Sequence, residues 1–137
     1  MLSRRIFSGC LVCAGMELIA TGAGAQAPAA ASGISRVVLG KQDLPGTNYE
    51  CIQIIGTIDA GAVIARHTHP GIESTIVIEG GGTLLVKGAP DRAVKPMDGF
   101  LIPPEAPHGL RNGPQPTRIA TTYTVERGKP LVTPAPE

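Results

Sequence analysis

The sequence predicts an all-β barrel or sandwich, on three observations. Short runs rich in β-branched residues recur at close, regular spacing. Turn residues separate them, with 18 glycines and 13 prolines in 137 residues. No stretch after Ala25 carries the 3.6-residue apolar period of an amphipathic helix.

Residues 1–25 stand apart from that pattern. A basic opening at Arg4 and Arg5 precedes a mostly apolar run over 6–20, and Ala23-Gly24-Ala25-Gln26-Ala27 offers Ala-x-Ala cleavage sites, which together read as a signal peptide. Ser3-Arg4-Arg5-Ile6-Phe7 also has the look of a twin-arginine export signal. The apolar run is shorter than the ~20 residues of a membrane span and contains Glu17, so no stable membrane insertion is expected after cleavage. The expected location is periplasmic or secreted. Cleavage would remove Cys10 and Cys13 and leave Cys51 alone, so no internal disulfide is expected, and Cys51, in an apolar run, reads as a small core residue.

Residues 26–33 form an Ala-rich linker into a domain expected over 34–127. Strand-like runs fall at 34–39, 49–59, 62–69, 73–79, 83–87, 92–94, 100–102, 108–112 and 118–126, with a turn-rich segment at 43–48. A Pro-rich tail, 128–137, is expected to wrap the surface or hang loose. About 110 residues remain after cleavage, enough for one small domain and too few for two. Loss of Arg4, Arg5 and Glu17 takes the formal charge from +1 to neutral. With no basic stripe and only 3% aromatic residues, nucleic acid is not an expected partner.

The chemistry concentrates in residues 61–80. His67 and His69 are two apart, so in an extended strand both imidazoles point to one face. Pro70-Gly71 is a turn signal, after which Glu73 opens the returning strand with a carboxylate. The remaining histidine, His108, lies in a second segment, Phe100-Leu-Ile-Pro-Pro-Glu-Ala-Pro-His-Gly-Leu-Arg-Asn112, and these three are all the histidines in the chain. Imidazoles and a carboxylate gathered this way suit a divalent first-row metal.

These segments resemble the two motifs of the cupin superfamily. Gly61, His67, His69, Glu73 and Gly80 match every fixed position of the first. Pro103, His108 and Asn112 match the second in part, its opening and middle glycines falling on Met97 and Glu105. The resemblance implies a double-stranded β-helix, or jelly-roll barrel. It also implies one divalent transition metal ion (Fe, Mn, Ni, Cu or Zn) held by His67, His69, Glu73 and His108, with open coordination positions for water, dioxygen or a substrate. The activity it suggests is that of a dioxygenase resembling the quercetin dioxygenase-like cupins, acting on a small organic molecule. The other reading is a non-catalytic module that binds a small ligand or holds metal in the periplasm. Small cupins commonly pair, and the apolar faces at 51–58 and 76–78 fit a homodimer.

Strand alternation supplies the expected surroundings. Val63 and Ala65 should share a face with His67, Leu110 and Asn112 with His108, and Thr75 and Val77 with Glu73. Gln53 or Tyr123 could offer a hydrogen bond, and Phe100 could border the entrance. Arg66 and Arg111 should point away. Glu105 is read as a surface carboxylate or as an acid or base at the mouth.

Overall fold

Alternation is plainest in the strand Tyr49–Ile58, where Glu50, Ile52, Ile54, Gly56 and Ile58 are buried and the residues between them are not. A strand with one apolar face must lay it against a second layer, and here two antiparallel sheets of five strands supply each other's cover. The structure is a computed structural model that describes residues 33–136. The expected signal peptide, with Cys10 and Cys13, and nearly all of the linker lie outside the described residues.

The strands in order are β1 (Ile34–Asp43), β2 (Tyr49–Ile58), β3 (Val63–Thr68), β4 (Gly71–Glu79), β5 (Gly82–Val86), β6 (Arg92–Val94), β7 (Gly99–Ile102), β8 (His108–Asn112), β9 (Thr117–Glu126) and β10 (Thr133–Pro134). One sheet runs β1-β2-β9-β4-β7 and the other β10-β3-β8-β5-β6. No described residue is helical, and none lies in a helix long and apolar enough to cross a membrane. The all-β expectation and the double-stranded β-helix hold.

Two apolar clusters fill the space between the sheets. Ile58, Val77, Leu84, Val94, Ile102 and Leu110 form the larger, and Ile52, Ile54, Tyr123 and Val125, with Leu131 against them, form the smaller. Each fully buried aliphatic side chain contributes about 1.5–3 kcal/mol. Between these two cores lies a band of polar side chains. Cys51 belongs to neither: it is half-buried on the outward face of β2, because alternation gives the inward positions to Glu50 and Ile52.

The Pro-rich tail wraps the barrel. β10 pairs with β3, Thr133 opposite Thr68 and Pro134 opposite His67, and the Ala135 amide donates to the Arg66 carbonyl at 3.1 Å. This covers the edge of β3 that would otherwise stand unpaired beside the histidine segment.

Candidate metal centre

His67 lies at the end of β3, His69 just beyond it, Glu73 near the start of β4 and His108 at the start of β8. Register brings them together: His67 sits directly across from His108, and Glu73 across from Tyr123 on β9. The four side chains are 2–7% exposed, and one ligand-type atom from each lies within 4.8 Å of all the others. The structure therefore gathers all four residues singled out by sequence.

A β-bulge sets the inner face of β3. Ile64 pairs with Leu110 and His67 with His108, three residues along one strand against two along the other. The extra residue inverts alternation, so Ile64 and His67 both face the interior. Val63, 54% exposed, and Ala65 face solvent instead of sharing the histidine face, which corrects the expectation from strict alternation.

Hydrogen bonds at the back of each ring decide what the front can do. Nδ1 of His67 lies 2.8 Å from the Ala65 carbonyl, Nδ1 of His69 2.6 Å from the Leu131 carbonyl, and Nδ1 of His108 2.9 Å from the Ala106 carbonyl. A carbonyl oxygen only accepts, so each Nδ1 donates its proton and each neutral ring keeps a bare lone pair on Nε2. Those lone pairs converge. Nε2 of His67 and His69 stand 3.1 Å apart, and Glu73 Oε2 is 2.9 Å from His69 Nε2 and 3.1 Å from His108 Nε2. Atoms bound at 2.0–2.1 Å and at right angles around one ion would be separated by about 3.0 Å. Electron-rich atoms at that spacing, with their protons turned outward, fit a cation.

Glu73 is aimed from its other oxygen. Thr75 donates to Oε1 at 2.7 Å, and Thr121 donates to Thr75 at 2.7 Å, a two-hydroxyl relay that locks the carboxylate. Burial pushes the Glu73 carboxyl up, but the neighbouring His108 and His69 rings and the Thr75 hydroxyl outweigh it and hold the group well below the usual carboxylate range. Burial works to lower His108, yet the Glu73 carboxylate and the Ala106 carbonyl raise it above the ordinary histidine value. Burial lowers His67 to about 4 despite the Ala65 carbonyl, with the neighbouring His108 and His69 adding to the drop. Burial, then Glu73, push the Tyr123 phenol up, so it stays neutral.

The remaining neighbours divide. Tyr123 is inside with its ring centroid 4.7 Å from that of His69, and among the described residues its contact with the cluster is this ring packing. Gln53 is exposed on the outward face of β2 and cannot reach the site, a correction that alternation on β2 explains. Val77 is fully buried in the larger core. Phe100 and Leu110 line a cavity of about 40 Å³ that His67, Glu73 and His108 bound on one side. Asn112 turns instead to the barrel end, where its Nδ2 donates to the Ile58, Asp59 and Gln115 carbonyls. Arg111 is exposed and paired with Asp91 at 2.8 Å, while Arg66 is half-buried and borders an outer surface groove with Val63 and Lys87. Glu105 is an exposed loop carboxylate that does not line the cavity.

Sequence reasoning missed Thr121 and the Leu131 and Ala106 carbonyls. Thr121 was detectable as a polar residue at an inward position between Ile119 and Tyr123 on β9. The carbonyls carried no signal, because any residue supplies one.

The loops at the motif departures keep a glycine-like backbone. Met97 has φ 73° and Glu105 φ 58°, the left-handed region where glycine is at ease. The side chains differ from the motif and the turns do not.

The cupin-domain family model matches residues 54–133, from the second half of β2 to the start of β10, which includes both motif segments. The chain belongs to the cupin family. Among solved structures this cupin is similar to a double-stranded β-helix protein of Klebsiella pneumoniae, at 22% identity and a TM-score of 0.62 over 79% of this chain and 89% of that one. The DMSP lyase DddQ of Ruegeria pomeroyi is similar at 20% identity and a TM-score of 0.61, over 74% of this chain and 51% of that one. A salicylate 1,2-dioxygenase of Pseudaminobacter salicylatoxidans is similar at 19% identity and a TM-score of 0.56, over 68% and 26%. The cupin spans about half the length of the DMSP lyases it matches. No curated protein matches it. At these identities the likeness is one of fold.

Proposed function

We propose that this cupin is an exported enzyme that binds one divalent transition metal through His67, His69, Glu73 and His108 and acts on a small organic molecule as an oxygenase of the quercetin dioxygenase-like kind. The observation that carries this is the convergence of three Nε2 lone pairs and a carboxylate oxygen beside an internal apolar cavity, with every histidine proton turned outward. Such a donor set accepts iron, manganese, nickel, copper or zinc. When bound, the metal would supply Lewis acidity and open positions for substrate and dioxygen. The chain's own residues do the rest. Thr121 and Thr75 hold Glu73 in one orientation, the Ala65, Leu131 and Ala106 carbonyls hold the rings, and Phe100, Leu110 and Ile119 keep the reacting space apolar. Two proteins of similar fold, a DMSP lyase and a salicylate 1,2-dioxygenase, are named for small organic substrates, which supports a substrate of that size rather than one reaction.

Export is inferred from residues 1–25, and a twin-arginine route would carry the protein out folded with its metal already loaded. A homodimer is part of the same proposal. β1 is a ten-residue edge strand with its far side open, and Val37, Val38 and Leu39 on it, with Ile72 and Ile76 on β4 and Leu101 on β7, are 45–69% exposed in the same sheet. A second copy related by a two-fold axis can pair with such an edge antiparallel and cover apolar surface at once.

Elemental analysis of protein purified after native export tests the centre. One equivalent of iron or manganese is the expected result, and zinc would turn the reading away from oxygen chemistry. Oxygen uptake with a panel of enolic and catecholic compounds then tests the activity, and silence across the loaded protein would favour a non-catalytic binding module. Sedimentation should give twice the monomer mass, and Ile76→Lys should shift it toward monomer.

A further inference from the structure

Away from His67, Glu73 and His108, the cavity wall is apolar except at Tyr123 and Arg36. Among the described residues that line it, Arg36 is the only lysine or arginine, and it stands on β1 opposite Gly56. Directly paired residues of an antiparallel ladder share a face. Ile34 pairs with the fully buried Ile58 and Arg36 with the buried Gly56, so both stand on the cavity side of the sheet, Ile34 half-buried and Arg36 exposed at the rim. At Gly56 a side chain is excluded, since a Cβ there would lie 2.9 Å from the Ile119 side chain. Ile119 packs against that position, and Arg36 lines the cavity from β1 beside it.

Among the described residues Arg36 also has no ion-pair partner that would explain it structurally. The other cation of β1, Lys41, is paired with Glu50 at 2.8 Å, whereas Arg36 makes no ion pair with any described residue. The one carboxylate on the cavity wall, Glu73, is already engaged by Thr75, His69 and His108. A guanidinium with no ion-pair partner among the described residues, at the exposed rim of an apolar cavity, is a ready counter-charge for an anionic ligand, and its fork geometry suits a carboxylate.

We propose that Arg36 is a specificity-determining residue that pairs with the carboxylate of a small, apolar-bodied monocarboxylate whose body enters the cavity toward the histidine cluster. The cavity of about 40 Å³ has room for roughly three water-sized spheres, so the body is short, on the order of three or four carbon atoms. This deepens the proposed function by naming a substrate class and rests on that reading only for which end of the ligand faces the centre.

Calorimetric titration with butyrate and with its uncharged counterpart butyramide tests it, on protein of measured metal content. The wild type should bind butyrate at least about tenfold more tightly than butyramide, the factor that one charge-assisted pair carries. Arg36→Gln should abolish that preference with metal content and circular dichroism unchanged, and Arg36→Lys should keep part of it. Equal binding of the two probes by the wild type overturns the proposal. So does a preference that survives in Arg36→Gln, which would place the carboxylate on the metal. The same pair of titrations on His67→Ala/His69→Ala separates the two readings: an Arg36-dependent preference there, without metal or oxygen uptake, sustains the carboxylate site and leaves the oxygenase to stand or fall alone.

Discussion

Two polar clusters of the barrel, one half-buried at its end and one buried in its middle, differ in their supply of protons. At one end Asn112 donates to three carbonyls while its Oδ1 accepts from Thr117 at 2.6 Å, and Thr117 in turn accepts from the Gly81 amide at 2.7 Å. The two Asn112 amide protons are shared among the three carbonyls, and each side-chain polar atom here finds a partner within the protein. In the middle, three Nε2 atoms and a carboxylate face one another with the histidine protons bound elsewhere. The first cluster is complete as protein, and the second is completed by a cation. Both carry motif residues, so a motif position alone does not reveal which kind it serves.

The sharpest way to break this comparison is to empty the second cluster. His67→Ala/His69→Ala should lose stoichiometric metal, more than about 100-fold in affinity, while circular dichroism stays that of the β-barrel. Stoichiometric metal in that variant, read by elemental analysis, would reject the ligand scheme.

Asn112→Ala attacks the other cluster and should do the converse. Several carbonyls and the Thr117 hydroxyl lose their partner, so denaturant unfolding should show a loss of about 2–4 kcal/mol. Metal bound per folded molecule should be unchanged, and a variant of full stability would show that the end cluster is not structural.

The tail tests whether the back of a ring matters as much as its front. Removing residues 129–137 deletes the Leu131 carbonyl behind His69 and should weaken metal binding about 10–100-fold. Competition against a chelator measures it; unchanged affinity would reduce β10 to edge cover.

Proton supply also predicts opposite responses to pH. Without metal, His108 is raised above 6.5, so its contribution is fully present below that value and is lost as pH climbs through the raised one. His67 is lowered to about 4, so the unfolded chain takes up its proton first and stability falls as pH drops from 6.5 toward 4. The metal-free protein should therefore be most stable near pH 6.5 in thermal scans. Metal competes with the His108 proton, so affinity should decline steadily from pH 8 to pH 5. A flat metal-binding profile over that range would contradict the assignment.

The smallest effect belongs to the loops around both clusters. Met97→Gly and Glu105→Gly should each raise stability by up to about 1 kcal/mol, since the present side chains hold left-handed backbone. Neither should alter metal content.

Much of the centre was legible because its four side chains sit in two short segments whose spacing is local. Two residues apart on a strand, a Pro-Gly turn and a carboxylate on the return suffice to aim His67, His69 and Glu73 at one point, and His108 followed as the remaining imidazole. Alternation misled at Val63 and Ala65, because a bulge is a property of two strands and neither sequence alone shows the extra residue. Gln53 and Cys51 were misread for a related cause: apolar composition marks β2 as half-buried, while only its neighbours fix which half.

By itself the sequence determined the all-β architecture, the strand positions and the identity of the four clustered side chains, since period, turn chemistry and residue type are local. Tertiary structure alone decided the tautomers, the Thr121 and Thr75 relay onto Glu73, the tail laid along β3 and the pairing of Arg36 opposite Gly56. Those depend on backbone groups and pairings between distant strands, and a carbonyl or a register leaves no mark on the residue that carries it.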